Sequence, residues 1–181
     1  ERFRERAPEL FRGEDMNQSD ALSELGVVIN RTILKTAEGV RHAPGFLACY
    51  DPKLGTLTYL NAGHTPALLK DGEGVTELKA NGIPFGLFSH ANYDAGFAAM
   101  RPGAALLLVS KGLVESRHRS KEFGLERVIE VFQAREFHDA EELCAAVLGA
   151  VETFTHGATP ENDTTALALT RAPGPRAGVL P

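Results

Sequence analysis

The sequence predicts an α+β fold whose sheet is mostly antiparallel. A helical apolar stripe comes first, and it is followed by a long stretch of short strand-like segments separated by tight turns. Two amphipathic helices and one last strand complete the order. Because strands and helices occur in runs and do not alternate, the pattern is typical of α+β proteins and not of a parallel α/β sheet. With 181 residues the chain can bury a sizeable core.

The first predicted element is a helix that begins at Asp20 as N-cap and ends near Gly39. Its apolar stripe has helical spacing and consists of Leu22, Leu25, Ile29 and Ile33. Gly26 lowers helix propensity inside this stripe, so another element is expected to pack closely there. Residues 1–19 are interpreted as an N-terminal arm or helical fragment, and residues 20–171 as the domain.

The pattern changes to strands after Gly45. Residues 46–50 and 56–60 predict a hairpin around the turn-forming residues 51–55. Residues 61–64 are expected to interrupt the sheet. Further strands are predicted over residues 67–70, 75–78 and 93–100, each bounded by glycine or proline turns.

The apolar run Ala105–Val109 predicts a buried strand, and it stops at Ser110, Lys111 and Gly112. Gly112 is expected to allow a sharp backbone turn. Two interpretations remain open from the pattern alone. The strand end either places side chains at the edge of a site, or is a core strand followed by a surface turn.

The last third of the chain predicts two helices and a strand. Apolar residues between 123 and 132 predict the first helix, and Asp139 is expected to cap a second that ends at Gly157. Residues 164–170 predict the final strand. Residues 172–181 contain three prolines and two glycines and are expected to form a flexible tail.

Composition argues against several classes of protein. The net charge is −5 and no basic stripe is present, so nucleic-acid binding is not expected. No apolar run approaches the roughly 20 residues that cross a bilayer. Cys49 and Cys144 lack metal-ligand spacing and are interpreted as buried thiols in a reducing cytoplasm. Because Glu1 is not a methionine, the sequence is expected to be cut from something longer.

Four motifs in order resemble the SpoIIE/RsbU-type serine phosphatases, a branch of the metal-dependent PPM (type 2C) protein phosphatases. They are LTYLNAGHTP at 57–66, GIPFG at 82–86, SKGLVES at 110–116 with EFGLER at 122–127, and NDTTAL at 162–167. No single motif is decisive, but four together are specific, and the match extends from about residue 20 to residue 170.

The resemblance implies a PPM-like layered α-β-β-α sandwich, here lacking the N-terminal strands. It also implies a site with two Mn²⁺ or Mg²⁺ ions held by aspartates, which hydrolyses phosphoserine or phosphothreonine. Four residues match the structural motif of the family: Asn61, Gly63, His64 and Gly86. His64 is expected to form structural hydrogen bonds. The implied partner is a phosphorylated anti-sigma-factor antagonist.

The chain departs from the family at the metal ligands. In the third motif, Lys111 stands where the family has an aspartate before the glycine. In the last motif, Asn162 stands where the family has the first of two aspartates, and Asp163 keeps the second. The upstream ligand segments have no counterpart. The two replacements change the charge by +2 and +1, a total of +3, and a unit cation about 4 Å from another costs roughly 4 kcal/mol at an effective dielectric near 20. No metal cofactor is therefore expected in this chain.

The Lys111 ammonium is predicted to stand in place of a metal, paired with Asp163 or Glu115; the alternative is a solvated turn lysine. Three functions stay open: a pseudophosphatase that binds or regulates, an active phosphatase whose ligands come from upstream or from a partner chain, and a structural remnant. Since missing strands would leave an open sheet edge, a cytoplasmic homodimer is expected.

Overall fold

A computed structural model describes residues 17–36, 42–134 and 136–174. These residues form two compact units. Unit 1 contains the chain up to residue 64 together with residues 80–99, and unit 2 contains residues 65–79 and the chain from residue 100 onward. The expected N-terminal arm before residue 17, the helix end near Gly39 and the tail beyond residue 174 lie outside the described residues.

The elements follow the predicted order. The helices are α1 (Gln18–Thr36), α2 (Lys111–Val114), α3 (Gly124–Gln133) and α4 (Ala140–Thr155). The strands are β1 (Gly45–Asp51), β2 (Thr56–Ala62), β3 (Ala67–Asp71), β4 (Gly74–Leu78), β5 (Gly96–Ala99), β6 (Ala105–Val109), β7 (Arg117–His118), β8 (Lys121–Glu122) and β9 (Ala166–Thr170). Every strand pair is antiparallel, so the predicted α+β class is confirmed.

Helix α1 begins earlier than expected. The side chain of Asn17 accepts a hydrogen bond from the Ser19 N–H at 3.0 Å, so Asn17 caps the helix and the prediction of Asp20 as N-cap was wrong. Asp20 lies in the first turn, where its carboxylate favours the positive end of the helix dipole. The predicted close packing at Gly26 is confirmed, since a Cβ there would lie 2.8 Å from a methyl carbon of Leu60.

Unit 1 holds a three-stranded sheet in the order β1-β2-β5. Its core consists of Leu60, Ala62, Phe85, Ala91 and Tyr93. Strand β2 continues through Asn61 and Ala62, which pair with Phe46 and Gly45, so the predicted interruption at residue 61 was two residues too early. The predicted strand over residues 93–100 is shorter and covers only β5.

Unit 2 holds a four-stranded sheet in the order β4-β3-β6-β9. Strand β6 is central: Leu107 pairs with Leu68 on one side and with Ala168 on the other. Helices α3 and α4 supply much of the core through Val128, Phe132, Leu143, Val147 and Val151. This apolar packing fixes the end of β6, which is followed directly by Ser110, Lys111 and Gly112.

Two features of unit 2 were not predicted. A small hairpin, β7–β8, precedes α3, because paired strands of two residues leave no periodic signal. The left-handed turn after α4 begins at His156, with φ of 54°, one residue before the predicted Gly157.

Cys49 and Cys144 are free and only partly buried, so the prediction of buried thiols was too strong, although burial raises the pKa of both thiols.

None of the helices among the described residues combines the length and the apolar character needed to span a bilayer.

Candidate functional site

The end of β6 is tied to the loop that precedes β9 by one hydroxyl group. Ser110 Oγ donates to the carbonyl oxygen of Asp163 at 2.9 Å and accepts from the Thr165 N–H at 3.0 Å. The same oxygen caps α2 by accepting from the Leu113 N–H at 3.3 Å. Ser110 therefore sets both the start of α2 and the position of residues 163–165.

Gly112 is required by close packing and not by a turn. Its φ is not in the left-handed region, so the expected sharp turn at this residue was wrong. A Cβ at Gly112 would lie 2.5 Å from the Asp163 carbonyl oxygen and 2.8 Å from Asn162 Cβ, distances that real Cβ atoms do not show. The structure thus brings Gly112, Asn162 and Asp163 into contact.

Lys111 pairs with Glu115 and not with Asp163. The ammonium lies 3.2 Å from a Glu115 carboxylate oxygen, and the side chain of Lys111 is 80% exposed. An ion pair this exposed contributes little to stability, because water and salt screen it. The ammonium is therefore available to an anion from solvent.

The loop Pro160–Thr165 borders an open hollow of about 520 Å³. A hydrogen bond to Glu122 raises the pKa of Arg117 in β7. The negative charges of Glu161 and Glu115 raise this pKa further, so both carboxylates lie near Arg117. The loop therefore has both acidic and basic neighbours within unit 2.

The donor set does not suit a hard divalent cation. Mn²⁺ and Mg²⁺ prefer several carboxylate or carbonyl oxygens, whereas Lys111 offers an ammonium and Asn162 a neutral amide. Only Asp163 keeps a carboxylate among these three positions. Within the described ranges, no group of three or more His, Cys, Asp or Glu side chains is arranged to hold a metal ion. The described residues alone therefore do not fit the metal pair that the family resemblance implies.

The second set of motif residues lies in unit 1 and is structural. Asn61 is fully buried: its side-chain oxygen accepts from the His64 N–H at 2.8 Å, and its carbonyl oxygen accepts from the Asn81 and Gly82 N–H groups. Gly63 has φ of 73°, and a Cβ there would lie 2.6 Å from Pro84 Cγ. These contacts fix the end of β2 against the segment around Gly82.

Asn30 makes a second set of buried hydrogen bonds in unit 1, and the sequence analysis did not identify it. Its side chain is buried, accepts from the Gly86 N–H at 2.7 Å and donates to the Phe88 carbonyl at 2.9 Å. Gly86 has φ of 80°, which explains the glycine. The available signal was an amide four residues after Gly26, on the helix face that packs closely against Leu60.

One cluster outside the motifs involves two histidines of unit 2. The imidazole rings of His118 and His156 are 4.4 Å apart, and Phe154 packs edge-on against His118. Partial burial, followed by the charges of His156 and Arg119, lowers the pKa of His118. The cluster attaches the β7–β8 hairpin to the C-terminal end of α4.

Comparison with known proteins now assigns the family. The family model described as Stage II sporulation protein E (SpoIIE) matches residues 7–172. The chain belongs to the SpoIIE family. Protein IcfG of Synechocystis sp. (strain ATCC 27184 / PCC 6803 / Kazusa) is 31% identical over 91 residues, which cover 49% of this chain and 14% of that protein. The chain therefore spans only a small part of this relative.

Solved structures show the same fold at low sequence identity. The RsbU and RsbW domains of Rv1364c from Mycobacterium tuberculosis match with a TM-score of 0.68 and 23% identity, covering 89% of this chain and 45% of that one. The SpoIIE phosphatase domain from Bacillus subtilis, in a crystal form without domain swapping, matches with a TM-score of 0.64 and 17% identity, covering 99% and 75%. The SpoIIE-family chain thus has the fold of the PP2C phosphatase domains.

Proposed function

We propose that this SpoIIE-family domain is a pseudophosphatase: a binding or regulatory module of a cytoplasmic bacterial regulator that keeps the phosphatase fold without metal-dependent hydrolysis. The observation that carries the proposal is the replacement of two carboxylate positions by Lys111 and Asn162 at a site whose backbone is otherwise tightly held. A hydrolytic site needs those carboxylates to hold cations, whereas a binding site does not.

The close fit around Gly112 supports a retained role for the site geometry. The Asp163 carbonyl oxygen meets both the Ser110 hydroxyl and the surface of Gly112. An ammonium on such a fixed backbone can attract a phosphate group as a point charge, without any metal. Lys111 would supply this charge, with Glu115 as its partner when the site is empty.

The proposed partner is a phosphorylated protein, and the family resemblance favours a phosphorylated anti-sigma-factor antagonist. Fluorescence anisotropy with a phosphoserine peptide and its unphosphorylated serine control tests this partner. We expect the unmodified domain to prefer the phosphorylated peptide, and Lys111→Ala to reduce that preference. Equal binding of both peptides would contradict a phosphate-reading site.

The competing function is an active metal-dependent phosphoserine phosphatase whose other ligands come from outside the described residues or from a partner chain. It is favoured by Asp163, whose side chain is still a carboxylate and whose backbone carbonyl lies against Gly112, and by the intact hydrogen bonds of Asn61 and Gly86. The two functions differ in one measurable property, which is hydrolysis by the unmodified chain.

Hydrolysis of p-nitrophenyl phosphate with Mn²⁺ separates the two functions. The unmodified chain is expected to give no turnover above background, and so is a Lys111→Met control, which removes the ammonium but adds no carboxylate. A Lys111→Asp/Asn162→Asp variant restores two ligand positions and tests whether they suffice. Turnover by the unmodified chain would support the active phosphatase and overturn the pseudophosphatase.

A further inference from the structure

The β7–β8 hairpin carries the densest positive charge in the part of the chain that the structure describes. Arg117, Arg119 and Lys121 lie within five positions, and no other five-residue stretch of the described ranges holds three Lys or Arg side chains. All three residues are exposed. Since the whole chain has a net charge of −5, the hairpin is a local exception that attracts anions.

Only part of this charge is neutralised by neighbouring side chains. The Arg117 guanidinium, at the base of the hairpin, pairs with Glu122 on the opposite strand. In contrast, the described residues provide no ion-pair partner for Arg119 or Lys121 at the tip. These two cations can therefore meet acidic groups of another molecule without first breaking an ion pair.

Arg119 occupies a backbone position that disfavours arginine. Strand β7 ends at His118 and β8 begins at Lys121, so Arg119 is the first residue of a two-residue turn, and its φ is 55°. Glycine is preferred at such a position, because a Cβ is crowded in the left-handed region. The turn itself therefore gives no reason for an arginine, whereas an exposed guanidinium at a hairpin tip suits contact with a partner.

The hairpin is fixed to the helices of unit 2. Arg127 of α3 donates to the carbonyl oxygens of Glu122 at 3.1 Å and Phe123 at 2.6 Å. The Arg127 guanidinium also lies 4.9 Å from the centroid of the Phe154 ring of α4. His118 packs edge-on against the same ring. Because these contacts hold the hairpin, little backbone freedom is lost when a partner binds its tip.

The size and composition of the hairpin favour an acidic protein segment over other anions. Its strands of two residues rise only about 7 Å, which matches a short stretch of peptide. The negative charges of Glu161 and Glu115 act on Arg117 at the base, and they would repel a continuous phosphate backbone. Within residues 117–122, all of which the structure describes, no large apolar side chain is exposed for insertion into a lipid surface.

We propose that the tip of the β7–β8 hairpin, formed by Arg119 and Lys121, is a docking surface for an acidic segment of a partner protein. Aspartate or glutamate side chains of that segment meet the two cations, while the base of the hairpin stays closed by the pair of Arg117 and Glu122. The surface includes neither Lys111 nor residues 160–165. The proposal therefore does not depend on phosphate recognition, and it can fail without affecting the proposed function.

Fluorescence anisotropy of the full chain with two labelled peptides tests the surface. One peptide carries a run of aspartates, and the other carries asparagines at the same positions. The unmodified chain is expected to prefer the aspartate peptide, and the Arg119→Gly/Lys121→Gln variant should bind it about fivefold more weakly. The control is Arg31→Gln/Lys35→Gln, which removes the same charge from exposed positions of α1. At physiological ionic strength the control should bind like the unmodified chain.

Thermal melting separates a lost contact from a damaged fold. Arg119→Gly relieves the left-handed position, so its melting temperature should not fall although its binding weakens. If this variant does melt at a lower temperature, Lys121→Gln alone decides the question, because it leaves the turn unchanged. This single variant should bind the aspartate peptide about twofold more weakly.

NMR chemical-shift mapping locates the contact. Titration with the aspartate peptide should shift the amide signals of residues 117–122 and leave those of α1 in place. Three results would overturn the proposal. They are equal affinity for the two peptides, an equal loss of affinity in the α1 control, and tighter binding of a single-stranded DNA oligonucleotide than of the aspartate peptide, which would make the hairpin a nucleic-acid surface.

Discussion

Unit 1 and unit 2 use polar residues in opposite ways. In unit 1 the family motif keeps its residues, and the buried side-chain amides of Asn30 and Asn61 hydrogen-bond to backbone groups of loops that follow β2. In unit 2 the backbone around Gly112 keeps its close packing, but exposed Lys111 and Asn162 stand where the family has aspartates. The contrast shows that the charges at a site can change while the packing contacts around it are kept. Those packing contacts, and not the charges, stabilise the fold.

The largest effect is expected from Asn30→Ala. The substitution leaves the Gly86 N–H and the Phe88 carbonyl without their buried partner, and each such loss costs about 1–3 kcal/mol. Urea denaturation should show the free energy of unfolding lowered by about 3 kcal/mol. Thr32→Ala on the same helix removes an exposed hydroxyl bonded to its own helix and serves as the control. A loss no larger than that of the control would contradict the structural role of Asn30.

Gly112→Ala comes next and tests the packing of unit 2. The new methyl group would overlap the Asp163 carbonyl oxygen, so unfolding should become easier by about 2 kcal/mol. Gly149→Ala is the matched control, because the same methyl group meets nothing within 4 Å on α4 and should stabilise that helix by about 1 kcal/mol. Equal signs for the two substitutions would contradict the packing at Gly112.

A pH dependence is expected from the histidine pair of unit 2. The pKa of His118 is lower in the folded chain than its usual value of 6.5, so the unfolded chain binds more protons. The folded chain therefore has its full stability at pH values above the pKa of His118 in the unfolded chain. Its free energy of unfolding decreases as the pH falls below that value. Since His156 contributes to the lowered pKa, an NMR titration of His156→Gln should show the pKa of His118 raised. An unchanged or lower value would contradict the coupling.

The smallest effect is expected from Lys111→Ala. Its ion pair with Glu115 is exposed, so its removal should change the free energy of unfolding by about 0.3 kcal/mol. Urea denaturation checks this value, with Lys53→Ala as a control that removes a lysine from the β1–β2 turn. A loss above about 1 kcal/mol would show that Lys111 is part of the scaffold, and would weaken its assignment to the site.

Much of the fold could be predicted because apolar periodicity reports burial directly. The stripe of α1, the apolar run of β6 and the cap at Asp139 all correspond to observed elements. The errors fell where tertiary contacts override local pattern. Gly112 was read as a turn although its role is contact with Asp163, and the β7–β8 hairpin is too short to produce a period.

The sequence motifs indicated which residues to consider for the site, but they did not decide which carboxylate pairs with Lys111. The motifs contain Gly112, Asn162 and Asp163, and the structure brings these residues into contact. Whether Lys111 would pair with Asp163 or Glu115 depended on the start of α2, which makes Lys111 and Glu115 neighbours four residues apart. Asn30 went unnoticed because its two partners lie 56 and 58 residues away in sequence.

We propose that the site around Gly112 keeps its backbone packing without affinity for divalent cations. Isothermal titration calorimetry of Mn²⁺ into the unmodified chain tests it most directly, with Lys111→Asp/Asn162→Asp measured alongside. We expect no binding heat for the unmodified chain at micromolar Mn²⁺ and a gain of affinity in the double variant, because the charge at the site falls by three units. Micromolar Mn²⁺ binding to the unmodified chain would contradict it.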